Sequence, residues 1–229
     1  MFRPTGYFST PPVVLNLIIV NCLFFMATAL LPGDIGWMIE QKLGLYFWES
    51  SNFRLYQVVT HMFLHANFSH LFMNMFALWM FGRVLEYDLG GKRFLIYYMA
   101  TGIGAALLHL GVSWIEISRI HGAIAEYGAQ PDLVRALVSR VNVVTVGASG
   151  AVFGVLLAFG MMHPNSVIML LIPPIPIKAK YFVIGYGVLE LFLGISNSGG
   201  NVAHFAHVGG MLWGYLLLRW WKYKRVIYY

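Results

Sequence analysis

The chain has few charged residues and a single cysteine. Asp, Glu, Lys and Arg make up 10% of its 229 residues, against about 25% in a soluble domain. This shortage excludes a soluble globular fold unless something other than water covers the surface. Disorder is excluded too, because disordered chains are poor in apolar residues, whereas 59% of this chain is hydrophobic. Cys22 has no second cysteine to pair with, so an intrachain disulfide is excluded and a cysteine-based metal site is not expected.

Charged residues are missing from long stretches of the chain, each long enough for a membrane span of about 20 apolar residues. The longest, Val141–Ile177, exceeds one span, and its end at Pro173–Pro176 is unsuited to a helix interior. Tyr181–Ile195 is a further apolar run, interrupted only by Glu190. We therefore predict an all-α polytopic membrane protein, a single membrane domain over residues 1–229. Its six helices are expected near residues 12–31, 68–85, 93–112, 148–163, 180–196 and 203–221.

A cleaved signal peptide is the alternative for the N-terminal segment. It would have an apolar region of about 7–15 residues and a cleavage site of small residues. Pro12–Leu31 is longer, and Leu30-Leu31-Pro32 offers no such site. We expect a retained span.

The basic residues favour one orientation. Numbering the helices one to six puts ten Lys and Arg on the side of both termini and five on the other. Because Lys and Arg concentrate in cytoplasmic loops, both termini are predicted to be cytoplasmic, in a bacterial inner membrane. The net charge of +6 then needs no nucleic acid to explain it. The ten are Arg3, Arg83, Lys92, Arg93, Lys178, Lys180, Arg219, Lys222, Lys224 and Arg225; the five are Lys42, Arg54, Arg119, Arg135 and Arg140.

Two outer connections are longer than a link requires. Pro32–Gln57 carries Trp37 and Trp48 among scattered charges, which suits a segment in the membrane interface. Val112–Val146 contains Pro131 at a plausible helix start, followed by apolar residues on one face. We expect an ordinary amphipathic surface helix there, whose role stays open.

Polar groups inside a membrane are expensive and are therefore functional candidates. Helix four is short, because the 15 residues from Ser149 to His163 reach only about 22 Å, against about 30 Å of hydrocarbon. Its N-terminus should lie below the outer surface, beside a water-filled cavity that tolerates irregular backbone. The other candidates are His61, His65, His70 and Asn74 near helix two, and His204 and His207 at helix six.

A serine at a helix N-terminus has chemical consequences. The unpaired N–H groups there stabilise negative charge, as an oxyanion hole does, and a histidine can activate the hydroxyl. Gly150 and Gly154 on helix four match Gly210 and Gly214 on helix six, so close packing of the two helices would bring His207 to Ser149. With no Asp or Glu near either in sequence, a Ser–His dyad is favoured over a triad.

Four motifs together resemble the rhomboid intramembrane serine proteases. They are Gly147-Ala148-Ser149-Gly150 on helix four, His70-Leu71-Phe72-Met73-Asn74 on helix two, Ala206-His207-Val208-Gly209-Gly210 on helix six, and Glu86, Gly90 and Phe94 in the pattern ExxxGxxxF. The resemblance covers about residues 10–221, with the motifs in the right order. It implies a protease without cofactor or metal that cleaves transmembrane protein substrates in the lipid bilayer, with an active site opening to the outer side.

The resemblance also implies roles for individual residues. Ser149 matches the nucleophile and His207 the general base. His70, Asn74 and the backbone N–H of Ser149 match the oxyanion site. Phe153 matches the aromatic residue on which the imidazole stacks, usually Tyr. The supporting positions are Gly147, Gly150 and the loop-facing His65; Tyr56-Gln57 departs from the family's usual Trp-Arg, which leaves that loop's contacts open.

Other interpretations remain. His61, His65 and His70 have the residue type of metal ligands but no carboxylate or thiolate nearby. Ser149 could be a helix cap, and Glu190 a loop cap near the outer surface or part of a proton relay. His61, His109, His163 and His204 suit polar packing. For the whole chain, the rivals are a catalytically dead relative and a small transporter, although transporters often contain repeats and none is found here.

The orientation can be tested with reporter fusions. Alkaline phosphatase fused after Glu126 should be active, because that loop is predicted to lie outside, and a fusion after Lys178 should be inactive. The enzyme's activity in whole cells gives the readout, with immunoblots to equalise expression. The reverse pattern would overturn the orientation.

Overall fold

The structure, a computed structural model, describes residues 10–32, 34–169, 174–196 and 203–227. Arg3 and Pro173, used above for orientation and for a helix end, lie outside these residues. The described chain is mostly helical, as expected of an all-α polytopic membrane fold. Its helices are α1 (Pro12–Leu30), α2 (Ile35–Leu43), α3 (Gln57–Thr60), α4 (Phe68–Ala77), α5 (Arg83–Leu89), α6 (Gly91–Tyr127), α7 (Pro131–Val141), α8 (Ser149–Met162), α9 (Ala179–Ile195) and α10 (His204–Tyr223).

Short elements complete the fold. A 3₁₀ turn (His61–Phe63) follows α3, and a π-helical segment (Leu78–Gly82) joins α4 to α5 into one helical stretch. That stretch continues to Leu89, beyond the predicted end at residue 85. Between α8 and α9, β1 (Val167–Met169) and β2 (Pro176–Lys178) pair antiparallel, a hairpin that the sequence did not predict.

Helix α6 runs much further than the predicted 93–112. Its C-terminal half buries Leu110 and Ile117 in a small hydrophobic cluster with Leu45 and Phe47 of the first outer connection. Charged residues after position 115 make this half look like a loop, although it is a helix that packs on one face. Helix α7 begins at Pro131 as predicted and covers the same cluster.

The outward faces of the helices are apolar. On α9, Ile184, Val188 and Phe192 are each more than 60% exposed, and such a continuous apolar face is unsuited to water. Among the described residues, Pro12–Leu30 and Gly91–Tyr127 are the helices long and apolar enough to cross a membrane, with mean hydropathies of 2.4 and 1.6 over their most apolar windows. Ser149–Met162 is a shorter apolar helix.

Small residues let α8, α10 and α6 pack with their backbones in contact. A Cβ added to Gly210 would lie 1.8 Å from the carbonyl oxygen of Gly150, so α8 and α10 touch there as predicted. The second predicted pair faces a different helix. A Cβ on Gly214 would lie 2.3 Å from the hydroxyl of Tyr97 on α6, and that hydroxyl donates a 2.8 Å hydrogen bond to the carbonyl of Gly154.

The ExxxGxxxF residues fasten α1 to the turn between α5 and α6. The Glu86 carboxylate accepts hydrogen bonds from the backbone N–H groups of Val13 at 3.0 Å and Val14 at 2.7 Å. Helix α1 begins with no side-chain cap of its own, and unpaired N–H groups at a buried helix start are costly. Gly90 turns the chain at a φ of +78°, and Phe94 is fully buried. Glu86 therefore acts as the missing cap.

Removing this cap should destabilise the protein. Glu86→Ala leaves two N–H groups of α1 without their partner, so we expect the free energy of unfolding to fall by about 1–3 kcal/mol. Denaturant unfolding in detergent measures it. Glu126→Ala, which changes an exposed glutamate at the end of α6, is the matched control. Equal stability of the two variants would contradict the capping role.

Candidate active site

Ser149 is the first residue of α8 and is reached through irregular backbone, as predicted. Thr145 forms an isolated β-bridge with Leu45, and the Gly147 N–H donates to the carbonyl of His61 at 2.9 Å. Gly147 has a φ of +135°, which only glycine adopts readily. The chain before Ser149 is thus hydrogen-bonded at two points, and the serine hydroxyl is held at the helix start.

His207 of α10 lies against this serine. Its Nε2 is 2.8 Å from the Oγ of Ser149. The ring of Phe153, one turn further along α8, stacks on the imidazole with centroids 4.3 Å apart and planes 7° from parallel. The Gly150–Gly210 contact brings the two helices close enough for both interactions. The structure therefore brings together the predicted nucleophile, base and stacking residue.

Glu190 completes this group, and the sequence did not predict its place. Its Oε2 lies 2.8 Å from Nδ1 of His207 and 2.7 Å from Nδ1 of His204. We expected Glu190 to cap a loop near the outer surface or to belong to a proton relay. It is 8% exposed, and its carboxylate contacts two histidines of α10. The available signal was its isolation, since it is the one charge in the apolar run Tyr181–Ile195. Glu190 and His207 are 17 residues apart along the chain, so the sequence did not indicate that they are in contact.

His70 and Ser149 flank the same small space. A Cβ built on Gly147 would be 2.8 Å from Cε1 of His70 and 3.6 Å from Oγ of Ser149. Asn74 is buried one turn further along α4, and its side-chain amide donates to the carbonyl of His70 at 3.0 Å. Because an amide NH₂ carries two N–H donors, one remains after this bond.

His65 lies edge-on to His70, with ring centroids 5.0 Å apart. Among the described residues, neither ring nitrogen of His65 has a hydrogen-bond partner. His61, earlier in the same connection, donates from Nδ1 to the carbonyl of Gln57 at 2.9 Å. Burial lowers the pKa of His65 to about 3 and that of His61 to about 4. Both imidazoles are therefore neutral at pH 7.

Two further histidines, His109 and His163, support the surrounding structure. Nε2 of His109 is 3.0 Å from the hydroxyl of Thr145, at the bridge that holds the loop before Ser149. His163 contacts Asp88 at 2.6 Å, at the far end of α8 from Ser149. These contacts are those of polar packing residues.

Gln57 explains how the first outer connection is held without the usual Trp-Arg pair. It is fully buried and its amide oxygen accepts from the backbone N–H of Arg54 at 3.0 Å. Its amide nitrogen donates to the carbonyls of Asn52 at 2.9 Å and Lys42 at 3.2 Å. Tyr56 beside it is half exposed. The contacts of this loop thus depend on Gln57.

Glu190, His204 and His207 also have the ligand types of a metal site, with ligand atoms all within 4.8 Å of one another. Tetrahedral zinc with bonds of about 2.0–2.2 Å would hold its ligand atoms about 3.3 Å apart. The observed nitrogen–oxygen distances of 2.7 and 2.8 Å are those of direct hydrogen bonds. The geometry therefore fits a hydrogen-bonded group, and a site without metal stays a prediction.

Two cavities differ in their relation to Ser149. A cavity of about 20 Å³ adjoins Ser149 and is also lined by His61, Thr145 and Gly147, with room for about one water molecule. A larger cavity of about 380 Å³ is lined by Asp88 and His163 among others. It lies at the other end of α8, which is about 20 Å long. Only the smaller cavity adjoins the reactive groups.

The arrangement suits acyl transfer. With the Nδ1–H of His207 donating to a carboxylate, Nε2 carries the lone pair and accepts the proton of Ser149. The first N–H groups of α8 are unpaired within the helix and are available to a developing oxyanion.

Comparison with known proteins gives a consistent result. A sequence model described as the Rhomboid domain matches residues 52–223. The Saccharomyces cerevisiae protein named "Rhomboid protein 1, mitochondrial" is 30% identical over 97% of this chain and 57% of its own length. "Rhomboid-like protein 11, chloroplastic" of Arabidopsis thaliana is 32% identical over 71% of this chain and 51% of its own length. "Putative rhomboid protease YdcA" of Bacillus subtilis is 30% identical over 73% of this chain and 67% of its own length. The chain thus spans about half to two thirds of the length of these relatives.

Gly147→Ala should damage the site specifically. The backbone at Gly147 would be strained by about 1–3 kcal/mol, and the new methyl group would contact the His70 ring. We expect lower stability and at least tenfold slower labelling by a serine-directed fluorophosphonate. Gly111→Ala is the control, since that helical glycine has open space around it and should gain about 0.4–1 kcal/mol. Parent-like labelling of Gly147→Ala would contradict this account of the loop.

Proposed function

Because this chain belongs to the rhomboid family, we propose that it is an intramembrane serine endopeptidase. It hydrolyses peptide bonds in or near the transmembrane segments of other membrane proteins. The observation that carries the proposal is the 2.8 Å contact between Nε2 of His207 and Oγ of Ser149, at the start of a buried helix. A hydroxyl so placed is activated when the imidazole accepts its proton.

The proposed reaction uses Ser149 and His207 as a dyad. Oγ of Ser149 attacks the scissile carbonyl carbon while Nε2 of His207 takes the hydroxyl proton. The tetrahedral intermediate collapses, the C–N bond breaks, and the imidazolium gives its proton to the leaving amine. Water then attacks the acyl-enzyme, with His207 again as base, and releases the acid and free Ser149.

The oxyanion is assigned to three donors. They are the backbone N–H of Ser149, the imidazole of His70 and the remaining N–H of Asn74. The His70 ring and the serine oxygen both lie within 4 Å of the position that a Cβ on Gly147 would take, and Asn74 is buried on the same face of α4. A donor aimed at the developing charge is worth about 2.7–4 kcal/mol. Gly147 leaves room beside the His70 ring, Gly150 lets Ala105 of α6 approach α8, and His65 packs edge-on against His70.

The proposed placement in the membrane follows from helix lengths and charge. Six spans are assigned, namely α1, the continuous α4–α5 stretch, the first part of α6, α8, α9 and α10, in a single domain over residues 1–229. Both termini are cytoplasmic, and the active site opens to the outer side of a bacterial inner membrane. The 14 residues of α8 cover about 21 Å, so Ser149 lies below the outer surface.

The proposed partners follow from the same chemistry. Transmembrane protein substrates meet the enzyme in the lipid bilayer, where the exposed apolar faces of the helices lie. The mechanism requires neither a cofactor nor a metal, and nucleic acid is not among the partners.

Two rival functions receive less support. A catalytically dead relative usually lacks the serine or the histidine, whereas here both are present and in contact. A transporter would be favoured by an internal repeat of paired broken helices, and the sequence contains no such repeat.

The proposal is tested by changing the nucleophile alone. Ser149→Ala should abolish cleavage of single-span substrates and labelling by a fluorophosphonate, because no hydroxyl remains for His207 to activate. The protein is purified in detergent and its fold checked by thermal unfolding. Ser139→Ala, an exposed serine on α7, is the control and should keep both activities. Folded Ser149→Ala with activity within threefold of the parent would refute the assignment.

A further inference from the structure

We propose that Glu190 is a positioning residue that holds the catalytic base His207 in its working tautomer and orientation. This inference rests on the proposed serine protease function. It assigns a role to the carboxylate on α9, which does not touch the reacting atoms itself.

The contacts around His207 form a chain of three groups. Oε2 of Glu190 lies 2.8 Å from Nδ1 of His207, and Nε2 of His207 lies 2.8 Å from Oγ of Ser149. Glu190 and His207 are each only 8% exposed. The two ring nitrogens thus have different partners, the carboxylate at one side and the hydroxyl at the other.

The carboxylate determines which nitrogen carries the proton. A carboxylate oxygen only accepts hydrogen bonds, so Nδ1 must be the N–H nitrogen. Nε2 then has a free lone pair directed at the Ser149 hydroxyl. In the other tautomer Nε2 would be protonated and unable to accept the serine proton. Among the described residues, the other hydrogen-bond partner of this ring is the Ser149 hydroxyl, which can donate or accept and so does not select between the two forms.

Phe153 and Glu190 constrain different motions of the ring. Phe153 stacks on the imidazole face with planes 7° apart, which fixes the ring plane. Its side chain offers no hydrogen bond, so stacking alone permits a ring flip that exchanges Nδ1 with Cδ2. The bond from Glu190 fixes the ring within that plane, and the two contacts together define its orientation.

His204 holds the carboxylate in turn. Its Nδ1 lies 2.7 Å from the same Oε2 atom, so one oxygen accepts from two imidazoles. A buried carboxylate is stable only when hydrogen-bonded, and the two bonds satisfy this requirement. His204 therefore supports Glu190, and among the described residues its ring makes no hydrogen bond to Ser149.

The decisive variant is Glu190→Gln, which keeps the side chain's size. The amide N–H₂ of Gln can donate to Nδ1 and so favour the tautomer that cannot accept the serine proton. We expect kcat to fall by about 10²–10⁴ and KM to change less than threefold, because the change affects the transition state and not substrate binding. Fluorophosphonate labelling should slow in parallel. Glu190→Asp, which keeps the charge, should retain at least tenfold more activity than Glu190→Gln.

The matched control is Glu126→Gln, an exposed glutamate at the end of α6, which should match the parent. A parent that neither cleaves nor labels would refute the proposed function and this inference with it. An active parent with Glu190→Gln within threefold in kcat would overturn the inference alone. So would a raised KM at unchanged kcat, or an aspartate variant no better than glutamine.

A second measurement needs no Glu190 variant and so holds even if Glu190→Gln fails to fold. The parent is labelled with ¹⁵N-histidine, and its spectrum in detergent is compared with that of His207→Gln to assign His207. Protonated Nδ1 and unprotonated Nε2 are expected for this ring in the resting enzyme. An Nε2–H tautomer would overturn the proposal.

Discussion

The site depends on the contact between the backbones of α8 and α10. At Gly210 a single added methyl group would lie 1.8 Å from the carbonyl oxygen of Gly150, so any side chain at this position would push the two helices apart. Ser149 precedes Gly150 and His207 lies one turn before Gly210, so this approach sets the 2.8 Å distance between hydroxyl and imidazole. Glycine in a helix is about 1 kcal/mol less favourable than alanine. Here that cost is offset by the close approach of α8 and α10, which a larger residue would prevent.

Starting α8 at Ser149 after a stretch of irregular backbone creates a second requirement. The backbone N–H and C=O groups of that stretch need hydrogen-bond partners. The chain before Ser149 meets it through the Leu45–Thr145 bridge and the bond from Gly147 to the His61 carbonyl. Both partners, Leu45 and His61, lie in the chain between α1 and α4, which is itself held by buried Gln57. The long extension of α6 covers it through Ile117. The loop before Ser149 is therefore hydrogen-bonded to protein groups, which lipid could not supply.

The sequence predicted a mostly helical chain and the contact between Ser149 and His207. Charge-free stretches and the spacing of small residues are signals that can be read locally. The end of α6 was wrong by 15 residues, from the predicted 112 to Tyr127, because a helix that packs on one face tolerates charge on the other. The pairing of Gly154 and Gly214 with Tyr97 was also missed, because small residues indicate close approach without indicating the partner. The prediction for Glu190 used only its position along α9. Which residues it contacts depends on the rotation of α9 about its own axis relative to α10, which the sequence does not reveal.

Glu190 shows why a charged residue within an apolar run indicates a functional site. A carboxylate gains no free energy from the burial of apolar surface. It would be strongly destabilising if it were left without partners in a low-dielectric interior. Replacing a buried hydrogen-bonded group with an apolar side chain of similar size is often neutral for stability, so stability alone gives little reason to keep it. The carboxylate is directed at the one nitrogen whose protonation decides whether Ser149 can be activated. Glu190 is therefore explained by its effect on the tautomer of His207 and not by a contribution to the stability of the fold.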